Sequence, residues 1–179
     1  MIDKYKILDK TECLTLLCTR AYSHWSLIKF VLNLPLVFTS SAMCIINSIS
    51  TDANKMKIPN IVVNACSVLL MSLLNSIKPA EKFENFKKLS QQFLMLSHDL
   101  EMLEDHDEDY KNKLNILSLK YDQLIQDVNF EDIPDKYKNY VSKLFSDNNR
   151  HIPIQLNGTI GMVLKKRNSN ELSLHNLNV

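Results

Sequence analysis

The densest set of ligand-type side chains in this 179-residue chain lies at residues 98–110, HDLEMLEDHDEDY, where two histidines stand among several carboxylates. Zinc asks for histidines at short helical or loop spacing, and calcium asks for an oxygen-rich loop turned by a central glycine. Neither pattern is met. His98 and His106 fall on either side of an expected turn, no second histidine pair exists, and the glycine is missing. A solvated acidic turn is the expectation, with no metal. Nucleophilic and phosphate chemistry fare no better. G-x-S-x-G, H-E-x-x-H and glycine-rich phosphate loops are all absent, and the only glycines are Gly158 and Gly161. No catalytic residue, cofactor or small-molecule substrate is expected. Cys13, Cys18, Cys44 and Cys66 form no C-x-x-C pair, so they read as small buried thiols of a reducing compartment.

A polar constellation of another kind sits inside two apolar runs. Asn33, Ser40 and Asn47 follow helical spacing with Val37 and Cys44, and Asn64, Ser67, Met71 and Asn75 do the same. If the runs are antiparallel, Asn33 meets Asn75 at one depth and Asn47 meets Asn64 at another. Each rung is worth on the order of 1 kcal/mol in lipid. Such stripes lock a hairpin, assemble several chains or line a pore. Neither run holds an ionisable side chain, which argues against a proton relay or coupled transport.

The elements that must position these residues follow from hydropathy. Residues 30–51 and 58–77 carry no charge. At about 1.5 Å per residue each run spans roughly 30 Å, the hydrocarbon thickness of a bilayer. Helices of a soluble bundle normally keep a charged outer face, and these have none. Serine, threonine and cysteine can bond back to helix carbonyls, and Pro35 is tolerated in a span. A transmembrane hairpin over residues 30–78 is therefore expected, with DANKMK as its tight outer turn. Residues 1–29 form an amphipathic helix opened by Asp9 and Glu12 in capping-box spacing. Tyr22, Trp25, Lys29 and, beyond the second run, Lys78 stand where interfacial anchors belong. Trp25 also reads as an ordinary core residue. No cleavable leader is recognisable, so insertion as a signal anchor is expected.

Past the second run the helix is expected to continue, with Phe83, Phe86, Phe93, Leu96, Leu100 and Leu103 at threes and fours. EDHDEDY then turns the chain into a second stripe of Leu114, Leu117, Tyr121, Leu124, Ile125 and Val128. The two stripes predict an antiparallel helical hairpin over residues 79–145, closed by a short helix that Pro134 opens. Phe83, Phe86, Tyr110 and Tyr121 are its candidate partner anchors, or else pack only within the hairpin. Residues 146–179 read as a polar, largely disordered tail. Arg20, Lys29, Lys78, Lys82, Lys87 and Lys88 flank the runs on one side, against Lys55 and Lys57 in the turn. Both termini and the hairpin are thus expected on the cytoplasmic or inner face. The fold class is all-α, and with 21 basic and 20 acidic residues no field favours nucleic acid.

RAYSHWSLIKFVLNLPL, NIVVNACSVLLMSLLNSIKP, KLSQQFLMLSHDLEMLE and KLNILSLKYDQLIQD occur in that order, followed by Ile133-Pro134 and Ile152-Pro153. This layout resembles the SLATT-type two-transmembrane family, known from bacterial conflict systems and also encoded by large DNA viruses. The resemblance covers roughly residues 11–154. It implies a non-enzymatic protein of a bilayer, homo-oligomeric, acting either as a membrane scaffold, in a virion or host membrane, or as a pore-forming effector. A scaffold would present the helical hairpin to itself or to a protein partner.

Overall fold

A computed structural model describes residues 3–49, 53–104 and 109–156, with the side chains at 46, 47, 49 and 53–56 outside the description. All regular structure among these residues is helical. The order is α1 (Lys4–Ile49), α2 (Ala53–Ile77), α3 (Pro79–Glu101), α4 (Tyr110–Gln126), a single 3₁₀ turn (Phe130–Asp132) and α5 (Asp135–Asp147).

Helix α1 starts five residues before the expected cap. Asp3 does the capping: its Oδ1 accepts the Tyr5 N–H at 3.1 Å, and its carbonyl accepts the Ile7 N–H at 3.2 Å. Ile7 is buried, so the apolar face already needs this first turn. Asp9 and Glu12 lie in the helix interior and serve another purpose, described below. Pro35 sits within α1 without ending it. Helix α2 begins at Ala53, so residues 53–57 of the expected polar turn are already helical, and Pro59 lies inside the helix. No glycine is available there to break it.

Contrary to the expectation of one continuing helix, α2 and α3 are separate. Lys78 separates them at φ 50°, in the left-handed region. Its N–H still closes on the Leu74 carbonyl at 2.9 Å, an αL termination. Pro79 is the cause. Its ring excludes the helical conformation from the preceding residue and cannot donate to a carbonyl one turn back, yet it suits the first position of a new helix.

The chain divides into two compact units, residues 1–21 with 86–179, and residues 22–85. The N-terminal helix is therefore not a domain of its own. In the first unit, Leu14, Leu17 and Cys18 of α1 are fully buried, as are Phe93, Leu96 and Leu100 of α3. Leu114, Tyr121 and Leu124 of α4 and Val141 and Phe145 of α5 complete the core. Instead of a two-helix hairpin, this is a bundle to which α1 contributes one wall. Cross-links confirm the packing: Thr19 and Ser90 hydroxyls meet at 2.8 Å, and the Phe93 and Tyr121 rings pack edge-on at 6.5 Å. Phe86, Phe93, Tyr121 and Leu124 are buried as the stripes predict, and Leu117 is half-buried. Phe83 belongs to the second unit and takes no part.

The tail expectation also needs correction. Residues 148–156 pack onto the bundle, with Pro153 and Leu156 buried. Asn149 terminates α5 at φ 54°, and the Arg150 N–H reaches back to the Phe145 carbonyl at 2.9 Å. The Arg150 guanidinium then donates to Asp9 Oδ1 at 2.7 Å and to Glu12. Two carboxylates that looked like a capping box are the dock for the C-terminal segment. Residues 105–108, in the expected acidic turn, and 157–179, in the tail, lie outside the described residues.

Candidate functional site

The second unit presents two helical segments, one in α1 and one in α2, long and apolar enough to cross a membrane, and their apolar windows have no buried residue. Phe30 is 62% exposed, Phe38 66%, Ile58 73% and Leu69 66%. Leaving one such side chain in water costs about 1.5–3 kcal/mol relative to burial. Together they make a large exposed apolar surface along two helices.

Four hydroxyls of the α1 segment are consumed locally. Thr39 Oγ1 donates to the Pro35 carbonyl at 2.8 Å, Ser40 Oγ to Leu36 at 2.7 Å, Ser41 Oγ to Val37 and Ser48 Oγ to Cys44 at 2.8 Å each. Ser40 thus spends its donor on its own helix and adds little to a polar stripe. Asn64 is exposed, and the Asn47 side chain is outside the description. Asn33 and Asn75 do come together: both line one open cavity of about 360 Å³ with Lys29, Leu74, Lys78, Pro79, Ala80 and Glu81. Among the described residues no hydrogen bond joins the two amides. Cys44 and Cys66 are exposed, against the expectation that all four thiols are buried.

Beside the cavity lies a collar of rings and ammonium groups. Tyr22 packs edge-on to Phe83 at 6.1 Å, and Lys29 Nζ stands 5.2 Å from the same ring centroid. Lys82 Nζ lies 4.5 Å from the Trp25 centroid. These distances are in cation–π range, worth about 0.5–2 kcal/mol each. Trp25 is only 9% exposed, so it serves as a packed platform for Lys82, closer to the core alternative than to an outward-facing anchor. The spacing that signals the cavity is present in the sequence: Lys29 and Asn33 stand four apart on one face of α1, and Asn75 and Lys78 three apart at the end of α2. What hides it is that Phe83 and Pro79, its neighbours, read as parts of a continuing helix.

The first unit holds no group of three or more metal-ligating side chains among the described residues. Burial pushes the Cys13 thiol up to about 12, with Arg150 opposing and Asp9 adding to the effect. Burial, then the neighbouring Cys13, pushes Cys18 up to about 12 as well. Both are inert neutral thiols at physiological pH. Burial raises Tyr121 too, with Asp122 and Cys13 contributing. For Arg150 burial alone would favour the neutral form, but the hydrogen bonds and charges of Asp9 and Glu12 outweigh it and the pKa rises. No family model, curated protein or solved structure matches this chain.

Proposed function

We propose that the protein is a non-enzymatic two-span membrane anchor. The apolar parts of α1 and α2 cross the bilayer as a hairpin, and the helical bundle stands in water on the inner face. One observation carries the reading: none of residues 26–45 or 57–78 is buried, although both stretches are almost wholly uncharged. The core helix of a soluble protein passes the same test of length and composition but hides that surface in its own fold. Here the surface is left for a solvent as apolar as itself. The sided distribution of Arg20, Lys29, Lys78, Lys82, Lys87 and Lys88 supports an inner-facing bundle.

The bundle is the scaffold's working part and self-associates or docks a protein partner. Phe86 and Tyr121 are buried in the core, in keeping with the alternative that they pack only within the helical unit. Leu94 and Met95 of α3, Met102 just past its end, and Ile116 and Leu119 of α4 are exposed apolar side chains, at 59%, 64%, 71%, 56% and 56%. They replace the earlier candidates as the association surface. The resemblance to SLATT-type layouts, including those of large DNA viruses, fits this reading. The pore reading draws less support, because the hydroxyls of Thr39, Ser40 and Ser41 are turned to their own helix.

Carbonate extraction of membranes carrying the full chain tests the anchor. Retention in the pellet is expected, and recovery in the supernatant overturns the reading. Liposomes loaded with a small dye test its alternative: vesicles bearing verified oligomers are expected to stay tight, and dye release would establish the pore.

A further inference from the structure

The cavity between Lys29 and Lys78 has a composition that the anchor role does not use. We propose that it binds the phosphate of an anionic phospholipid headgroup in the inner leaflet, an assignment that rests on the two-span reading. Lys29 precedes the first uncharged run and Lys78 follows the second, so in a bilayer both stand at headgroup depth on the same side. Both line the same cavity, with the Asn33 and Asn75 amides between them. Neither amide is hydrogen-bonded to the other, which leaves N–H donors for a phosphate oxygen.

The third contribution is the first turn of α3, Pro79 to Glu81, which lines the cavity and where the helix dipole presents positive potential. Glu81 is the opposing group. Its carboxylate pairs with Lys78 at 3.2 Å, and the two side chains are 71% and 63% exposed. An exposed pair of this kind is held weakly and yields Lys78 to a better-placed anion. Two ammonium groups against one carboxylate leave the lining with net charge +1. That matches a phosphodiester with no cation of its own, such as phosphatidylglycerol. The choline of phosphatidylcholine would compete with the lysines for the same phosphate.

Leu74 in the lining, and Phe30 exposed next to Lys29, distinguish a lipid from free phosphate. They continue the site onto an apolar helix surface where an acyl chain can lie. A dissolved anion has no use for that wall.

Trp25 is the chain's one tryptophan and lies one helical turn from Lys29. Its fluorescence in the full-length protein, reconstituted with brominated phosphatidylglycerol or brominated phosphatidylcholine, reports occupancy. Stronger quenching by the glycerol lipid is expected, with an apparent affinity about tenfold above that for the choline lipid. K29Q/K78Q should abolish the preference, K29R/K78R should keep it, and K111Q/K143Q, in the bundle, should leave it unchanged. Asn75→Leu, which fills the cavity while keeping both lysines, should also abolish it and stands in if K29Q/K78Q fails to fold. Equal quenching by the two lipids, or a preference that survives both K29Q/K78Q and Asn75→Leu, overturns the assignment. So does loss of the signal to inorganic phosphate at matched ionic strength, which would mark a free-anion site. A chain that resists carbonate yet shows no preference sinks this inference alone. A chain that carbonate extracts sinks the two-span reading with it.

Discussion

Arg150 and Asp9 are 141 positions apart in the chain, yet the Arg150 Nε donates to Asp9 Oδ1 at 2.7 Å. The same Asp9 carboxylate accepts the His151 backbone N–H at 3.1 Å. Together they tie the segment after α5 to the second turn of α1, and the bundle is closed by its own ends. Arg150→Met removes a charge-assisted pair and leaves two carboxylates facing each other. A loss of about 1–3 kcal/mol is expected in denaturant unfolding of the detergent-solubilised protein. A double-mutant cycle with Asp9→Asn should return a coupling of about 1 kcal/mol or more. A cycle that closes at zero would reduce the contact to surface decoration.

The bundle core makes a sharper contrast. Phe93 is fully buried, and Met95, two residues on, is 64% exposed. Phe93→Ala should cost about 3–5 kcal/mol, since it opens a cavity and removes the edge-on partner of Tyr121. Met95→Ala should leave unfolding within about 0.5 kcal/mol of the parent while weakening self-association in cross-linking. Equal destabilisation by the two would contradict the placement of α3.

These two positions also show how much was legible beforehand. The stripes of α3 and α4, the helix opened at Pro134 and the two uncharged runs follow from periodicity and charge alone, because they are local patterns. The part played by α1 was not legible. Its face Leu14, Leu17, Cys18 and Ala21 is amphipathic in either role, as a surface helix or as a bundle wall, and only tertiary contact decides. Arg150 was hidden for a similar reason: a lone arginine in a polar stretch carries no period, and its partners lie at the far end of the chain. The break at Lys78 is not legible because Pro79 begins a new helix a single residue after the last one ends. At the cavity, the helix-face spacings of Lys29 with Asn33 and Asn75 with Lys78 were visible, but their meeting was not.

Asn149 gives a local test of helix termination. It holds φ 54° at the end of α5, where a side chain with Cβ is strained and asparagine is tolerated better than most. Asn149→Ala should lose about 1 kcal/mol, and Asn149→Gly should hold or gain stability. The ordering of the two in thermal melts is the readout; alanine at or above glycine would deny the left-handed cap.

Alkaline stability follows from Cys13 and Cys18. Both thiols are pushed up to about 12 in the fold from an ordinary value of 9.0. Below pH 9 neither state releases the proton, and the contribution is intact. Between about pH 9 and 12 the unfolded chain ionises first, so stability must fall as pH rises through that window. The Cys13→Ala/Cys18→Ala variant should show a shallower fall across the same range. Identical alkaline profiles for parent and variant would place both thiols in contact with water.

The most direct test of the central claim uses Cys44 and Cys66, which the fold exposes on the uncharged stretches of α1 and α2. In the Cys13→Ala/Cys18→Ala background, nitroxide labels on these two positions can be read by power saturation in reconstituted vesicles. Oxygen, which concentrates in lipid, should relax both labels far more than a water-soluble nickel chelate does. Stronger relaxation by the nickel chelate at both sites would place the helices in water and end the two-span account.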